Sequence, residues 1–343
     1  MKHINVALFV VHKGCPHMCS FCNQRSISGS QKEITPQEVH EAAQTAMRSL
    51  SQSEASGGEI AFFGGSFTMV ERGYMISLLE AAYEYIEKGI FKGIRLSTRP
   101  DGIDREICEI LKRYGVTAVE LGAQSLDDRV LALNERGHTA RQVEQAHSLL
   151  KEYGFETGLQ MMTGLYGSTA ADSVETAEKI IRMKPDTVRI YPTVVLKGTR
   201  LCALAESGEF VPEGVPEAVE LCARLIPMFE NAGIRVIRVG LHSGGGVEDG
   251  FYGGAYHPAL RELCEGRIYL NAVLEELNNK EKGRYTLFVA PDAVSKMTGQ
   301  RKCNLSALAE RGYECTVERR EGLKKYEVEI TPRHEGGKGQ VIK

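Results

Sequence analysis

The run Ile4-Asn5-Val6-Ala7-Leu8-Phe9-Val10-Val11 leads into Cys15-Pro16-His17-Met18-Cys19-Ser20-Phe21-Cys22, and this succession decides the fold. The first stretch is apolar and of strand length, and reads as a short buried strand. The second puts three thiols within eight residues, spaced four and then three apart. Thiolates are soft ligands that suit zinc, copper(I) or iron–sulfur clusters. A structural zinc site closes with four ligands, usually two pairs from separate stretches, and no second Cys-x-x-Cys occurs in the chain. Three thiolates on a cubane cluster leave one iron without a protein ligand, open to a small molecule. The loop therefore reads as a reactive cluster site at a strand end. A zinc site completed by His17, His12 or Cys108 is the competing reading.

Further strand-like runs follow at Glu59–Phe63, Gly93–Ser97, Val116–Leu121, Phe155–Met162 and Thr187–Tyr191, with a seventh at Ile234–Val239. Helical segments lie between them. Thr35-Pro36-Gln37-Glu38 is a capping box with proline at the first helical position, predicting a helix to about Leu50. Thr139-Ala140-Arg141-Gln142 repeats the device before a helix ending near Tyr153. Strands alternating with helices of this length argue for parallel βα units, an open sheet or a barrel, whose strand C-termini share one face. Unusual residues end or follow each of the first six runs: the cysteine loop, Gly64-Gly65-Ser66-Phe67, Thr98-Arg99-Pro100-Asp101, Glu120-Leu121-Gly122-Ala123-Gln124-Ser125, Gln160-Met161-Met162-Thr163-Gly164 and Tyr191-Pro192-Thr193. The fold class expected is α/β, a partial (β/α)6 TIM-like barrel with a small C-terminal α/β subdomain.

At 343 residues the chain has room for one large domain and a smaller one. A formal net charge of −3 gives no global basic footprint for nonspecific nucleic-acid binding. Nine cysteines, an odd number scattered apart from the opening trio, fit a reducing compartment and not a disulfide framework. The opening apolar run is too short to span a membrane and lacks a signal-peptide cleavage pattern. The expectation is a cytoplasmic protein with no membrane contact.

Taken together, the C-x3-C-x2-C loop, Gly64-Gly65-Ser66-Phe67-Thr68, Ser97-Thr98-Arg99-Pro100-Asp101 and Asn134-Glu135-Arg136-Gly137-His138-Thr139 resemble the radical S-adenosylmethionine superfamily. The branch they resemble most is the radical domain of the Elongator catalytic subunit and its bacterial relatives. The resemblance covers residues 4–240. It implies that Cys15, Cys19 and Cys22 hold a 4Fe–4S cluster whose open iron binds S-adenosylmethionine. By the same resemblance Gly64, Gly65 and Ser66 admit the ligand's methionine end, and Thr98, Gln124 and Gln160 offer it neutral hydrogen bonds. Arg136 pairs with its carboxylate, while Phe21 and the backbone near Met162 and Tyr191 flank the adenine. The implied reaction is one-electron cleavage to methionine and a 5′-deoxyadenosyl radical, then hydrogen abstraction from a substrate. Implied partners are a flavodoxin- or ferredoxin-type electron donor and a tRNA or other nucleotide-bearing substrate. In this branch the turn after the fifth strand resembles Gly-Leu-Pro-Gly, whereas here it is Gly164-Leu165-Tyr166-Gly167. A coproporphyrinogen-oxidase-like or haem-handling protein is the alternative enzyme, and a non-catalytic iron–sulfur RNA-binding or assembly factor the alternative class.

Past the barrel, glycine is dense from Val239 to Tyr256, and residues 241–284 read as a glycine-rich linker and a helix. Residues 285–331 read strand, helix, Gly299-Gln300-Arg301-Lys302, helix, strand, strand. That order resembles a KH-type RNA-binding module, although the second glycine of its loop is missing. Arg99 and Arg136 taken alone read as solvated surface charges, and the glycine-rich tail 332–343 as disordered.

Overall fold

The computed structural model describes residues 4–10, 15, 18–23, 33–241 and 246–333. The chain divides into two compact units, Met1–Ala218 with Leu225–Pro258, and Val219–Arg224 with Ala259–Lys343.

In the first unit the elements run β1 (Asn5–Val10), α1 (Pro36–Ser49), α2 (Gln52–Ser56), β2 (Glu59–Gly64), α3 (Arg72–Glu87), β3 (Gly93–Thr98), α4 (Arg105–Arg113), β4 (Val116–Gln124), α5 (Asp128–Leu133), α6 (Ala140–Glu152), β5 (Glu156–Thr163), α7 (Ala170–Met183), β6 (Thr187–Pro192), β7 (Val194–Leu196), α8 (Arg200–Glu206), α9 (Val215–Asn231), β8 (Arg235–Val239), α10 (Val247–Gly250) and β9 (Phe251–Gly254). Seven strands form one parallel sheet in the order β1-β2-β3-β4-β5-β6-β8. This is the expected partial barrel with one strand more than six, because the seventh run joins it as β8. Both expected capping boxes are present, Thr35 with Glu38 and Thr139 with Gln142. The apolar strand faces bury against the helices, with Ile60, Phe62, Leu96, Val119, Leu121, Leu159 and Ile190 all at 0% exposure, and this burial is the main stabilising term.

The glycine-dense stretch differs from the linker expected. Phe251–Gly254 is a strand that pairs antiparallel with Val194–Leu196. Gly254 has φ +97, and a Cβ there would stand 2.6 Å from the Thr193 carbonyl oxygen, so the close strand approach itself requires glycine. Gly244 and Gly245 lie outside the described residues, as does 334–343 of the tail.

The second unit holds α11 (Leu260–Leu277), β10 (Gly283–Val289), a 3-10 turn at Pro291–Ala293, α12 (Val294–Thr298), α13 (Cys303–Ala309), β11 (Tyr313–Arg319) and β12 (Glu329–Pro332). Its sheet order is β11-β10-β12, with β10 parallel to β11 and antiparallel to β12. The last strand runs from Glu329 to Pro332, one residue into the stretch read as disordered. The core gathers Leu277, Leu287, Val289, Met297 and Leu308. Among the described residues no helix is long and apolar enough to cross a membrane.

Candidate active site

The described part of the cysteine loop, which follows β1 in the chain, is tied down by backbone and side-chain groups from two later segments. The Ser20 N–H donates to the Asn134 carbonyl at 3.1 Å, and the Leu201 N–H to the Ser20 carbonyl at 2.7 Å. The Ser20 hydroxyl donates to Asn134 Oδ1 at 2.8 Å. Asn134 Nδ2 in turn donates to the carbonyls of Val130 and Tyr166, both at 2.9 Å. Asn134, 1% exposed, thus joins the loop to α5 and to the turn after β5. Cys19 is buried, and Cys15 and Cys22 are half-buried. Among the described residues no three His, Cys, Asp or Glu side chains stand together as a ready metal site. His12 and His17, the competing zinc ligands, lie outside the described residues. Phe21 packs beside Tyr166 and Phe210 on Val195, Leu201, Cys202 and Leu204.

Beside the loop, β2 ends on Gly64 (φ +106), where a Cβ would meet the Val10 carbonyl oxygen at 3.0 Å, and the Gly65 N–H donates to that carbonyl at 2.8 Å. These glycines therefore hold β2 against β1 where the cysteine loop departs. Ser66, Thr68 and Thr98 form a closed hydroxyl cluster. Thr98 Oγ1 lies 2.9 Å from Ser66 Oγ and 2.7 Å from Thr68 Oγ1, and Ser66 Oγ accepts from the Arg99 N–H at 3.1 Å. A hydroxyl has one proton and two lone pairs, so Thr98 is engaged in bracing this turn. Gln160 is engaged too: its Nε2 donates to Glu120 Oε2 at 3.0 Å and to Ser97 Oγ at 3.3 Å. Met162 and Tyr191 stand side by side in the β5–β6 register.

Gln124 and Arg136 are differently placed. β4 bulges between Gly122 and Gln124, and Gln124 takes the left-handed φ of 65°, a strained conformation of the kind found beside active sites. Its buried Oε1 has no hydrogen-bond partner among the described residues. Arg136 Nη2 donates to the Gly122 carbonyl at 2.7 Å and its Nη1 to Cys19 Sγ at 3.4 Å. Its Nε, also buried, has no partner there. Gly122 makes the room: a Cβ would lie 2.8 Å from Arg136 Nη2 and 2.9 Å from Gln124 Nε2.

Neither arginine is the surface charge that arginine alone suggests. Arg136 is 7% exposed and Arg99 2%, the latter bidentate to Asp101 at 2.9 and 2.8 Å. Arg99 Nη1 and His138 Nδ1 are two further buried atoms without a partner among the described residues. His138 pairs through Nε2 with the Ala123 carbonyl at 3.3 Å, so that nitrogen carries the proton. Burial, then the Arg136 and Arg99 charges, push its pKa down to about 3, and it is neutral. Burial also lifts the Cys15 thiol, with Arg136 and then Arg99 pulling it down and Cys19 adding to the rise.

Below this layer runs a set of buried charges that the sequence reading missed. Arg95 Nε meets Glu59 Oε2 at 2.7 Å, Nη1 meets Glu120 Oε1 at 3.5 Å, and Nη2 meets Glu156 Oε1 at 2.9 Å. Arg189 Nη2 donates to Glu120 Oε1 at 2.7 Å. Glu59 and Glu120 are both 0% exposed. The available signal was a charged residue inside an apolar parallel strand, where a free charge is not tolerated.

The family described as the radical SAM superfamily matches residues 9–180, and its companion C-terminal domain matches 185–269. The tRNA uridine(34) acetyltransferase of Methanocaldococcus infernus is 37% identical over 134 residues, 37% of this chain and 24% of that protein. Elongator complex protein 3 of Homo sapiens is 30% identical over 161 residues, 46% of this chain and 29% of that protein. The solved archaeal Methanocaldococcus infernus Elp3 with an N-terminal deletion superposes with a TM-score of 0.60 at 21% identity, covering 82% of this chain and 66% of that one. The matches to these two curated relatives span about a quarter of each relative's length. With this fold and this cysteine loop, the chain belongs to the radical SAM superfamily of enzymes, in its Elongator-like branch.

Proposed function

We propose that this chain cleaves S-adenosylmethionine reductively at a 4Fe–4S cluster held by Cys15, Cys19 and Cys22, and uses the product to take hydrogen from a tRNA or related nucleotide substrate. The observation that carries the reading is polar and buried. Around the cysteine loop, Gln124 Oε1, Arg136 Nε, Arg99 Nη1 and His138 Nδ1 are desolvated with no partner among the described residues. Leaving such a group unmade costs about 1–3 kcal/mol, and a charged amino acid with a ribose would satisfy several at once. The donor chemistry fits as well, since the loop carries three soft sulfur donors and a buried guanidinium reaches one of them, Cys19, a combination that suits an iron–sulfur cluster.

Bound there, a cluster with S-adenosylmethionine supplies one-electron cleavage of a sulfonium and hydrogen abstraction. The protein's own residues orient and desolvate. Arg136 holds charge against Cys19, and Gln124 offers a buried acceptor. Gly64 and Gly65, with Ser66 behind them, keep the β1 and β2 ends close, while Thr98 and Gln160 brace the strand ends. Met162, Tyr191 and Phe21 are the surfaces assigned to adenine. The tRNA side of the proposal is supported by the names of the curated relatives. A flavodoxin- or ferredoxin-type protein is the proposed source of the electron.

The test is anaerobic reconstitution with iron and sulfide, then dithionite and S-adenosylmethionine, read out as 5′-deoxyadenosine, with and without bulk tRNA. The expected result is product from the wild type, none from Cys19→Ala, and more product with tRNA. A four-iron protein that yields no 5′-deoxyadenosine would refute the cleavage reading, and zinc as the sole metal taken up would refute the site.

A further inference from the structure

We infer that Arg136 is a positioning residue for the cysteine ligand set itself, holding Cys19 Sγ by a charge-assisted hydrogen bond and thereby raising the reduction potential of what the loop binds. The inference rests on the proposed cluster site but concerns this chain's own geometry. The guanidinium is clamped at one end, Nη2 to the Gly122 carbonyl at 2.7 Å. Its other end, Nη1, reaches Cys19 Sγ at 3.4 Å. The side chain is 7% exposed and Cys19 is 6% exposed, so solvent screens the contact little. The clamp depends on a strand residue without a side chain, since a Cβ at Gly122 would stand 2.8 Å from Nη2.

A hydrogen bond to a ligating sulfur and a positive charge beside it both favour the more negative, reduced state. Reduction adds one electron, from dithionite in the test below, and takes the cluster from the 2+ to the 1+ state. No bond to Arg136 forms or breaks and no proton moves. A lysine keeps the charge but not the fork, so it cannot hold Gly122 and Cys19 together.

The experiment is an anaerobic redox titration of reconstituted wild type, Arg136→Met, Arg136→Lys and Gly122→Ala, followed by electron paramagnetic resonance without S-adenosylmethionine. Iron and sulfide content and circular dichroism are measured first. Arg136→Met is expected to lower the reduced-to-oxidised ratio at fixed potential by at least tenfold, about 59 mV for one electron. Arg136→Lys should recover part of that. Gly122→Ala, which keeps the arginine but displaces its guanidinium, should shift the same way, and it supplies the reading if Arg136→Met sheds its iron. Reduced-to-oxidised ratios within twofold of wild type at the same potential, about 18 mV for one electron, in the iron-loaded variants would overturn the inference while leaving the cluster site standing. A wild type that takes up no cluster defeats the proposed function first, and this inference with it.

Discussion

Asn134 shows how much of the site hangs on one uncharged side chain. Its amide accepts from Ser20 and donates to the carbonyls of Val130 and Tyr166, so a buried network rests on its full satisfaction. Asn134→Ala removes the partner of the Ser20 hydroxyl and of the Tyr166 carbonyl, while the Val130 carbonyl keeps the Asn134 backbone N–H at 3.2 Å. The expected cost is about 1–3 kcal/mol, seen as a lower melting temperature, and the reconstituted variant should lose iron faster than wild type on gel filtration. A variant with normal iron retention would show that the loop is held by its backbone contacts alone. A second residue reports on acid. His147 is 4% exposed and lies 3.2 Å from Thr157 Oγ1 through Nε2. Burial, then Lys151, push its pKa down from 6.5 to about 4. The unfolded chain therefore binds the proton that the folded one refuses, and stability falls as pH drops from 6.5 towards 4. Between pH 7 and pH 5 the loss from this group is about 2 kcal/mol. His147→Gln should flatten that limb in urea unfolding; an unchanged pH slope would assign the acid sensitivity elsewhere.

The elements were legible where local chemistry is self-declaring. Thr35-Glu38 and Thr139-Gln142 announce helix starts because an N-cap hydroxyl and an N3 carboxylate or amide satisfy each other without help from the fold. Strands β2, β3 and β4 were readable because both faces are covered, which leaves near-continuous apolar runs, whereas the outer strands β1 and β8 alternate buried positions with exposed or half-buried ones. Short elements were not. Helix α2 has five residues and its own capping box at Ser51 and Glu54, too little sequence to show a period. Strand β9 reads as a linker because its glycines serve backbone approach to Thr193, a tertiary reason that no local pattern carries. The bulge at the end of β4 is of the same kind. The sequence points to Gln124 as a ligand contact, but the left-handed turn and the emptiness of Gly122 that make room for Gln124 and Arg136 belong to strand pairing. Likewise Thr98 and Gln160 have the right chemistry for a ligand, and neighbours decide that both are already bonded within the protein.

At the scale of the whole first unit, the missed charges form one structural device. Glu59 on β2, Arg95 on β3, Glu120 on β4, Glu156 on β5 and Arg189 on β6, joined by the uncharged Gln160 already named from the sequence, link five neighbouring strands through contacts of 2.7–3.5 Å. They lie beneath the strand ends that carry the site. Periodicity reads each as an interruption of an apolar strand, and only the register reveals that the interruptions meet. Glu120 is the joint, since it faces both Arg95 and Arg189. Replacing a fully buried pair with apolar groups is often neutral, whereas removing one partner costs about 3–5 kcal/mol because a charge is left uncompensated. Glu120→Gln is therefore expected to be strongly destabilising, and Arg189→Met in the same chain should recover a large part of the loss. The chain has no tryptophan, so far-UV circular dichroism in urea is the suitable readout, with hydrogen exchange on β4 and β5 to place the effect. If the two single losses simply add in the double variant, Glu120 and Arg189 are not coupled, and the ladder is a set of separate contacts.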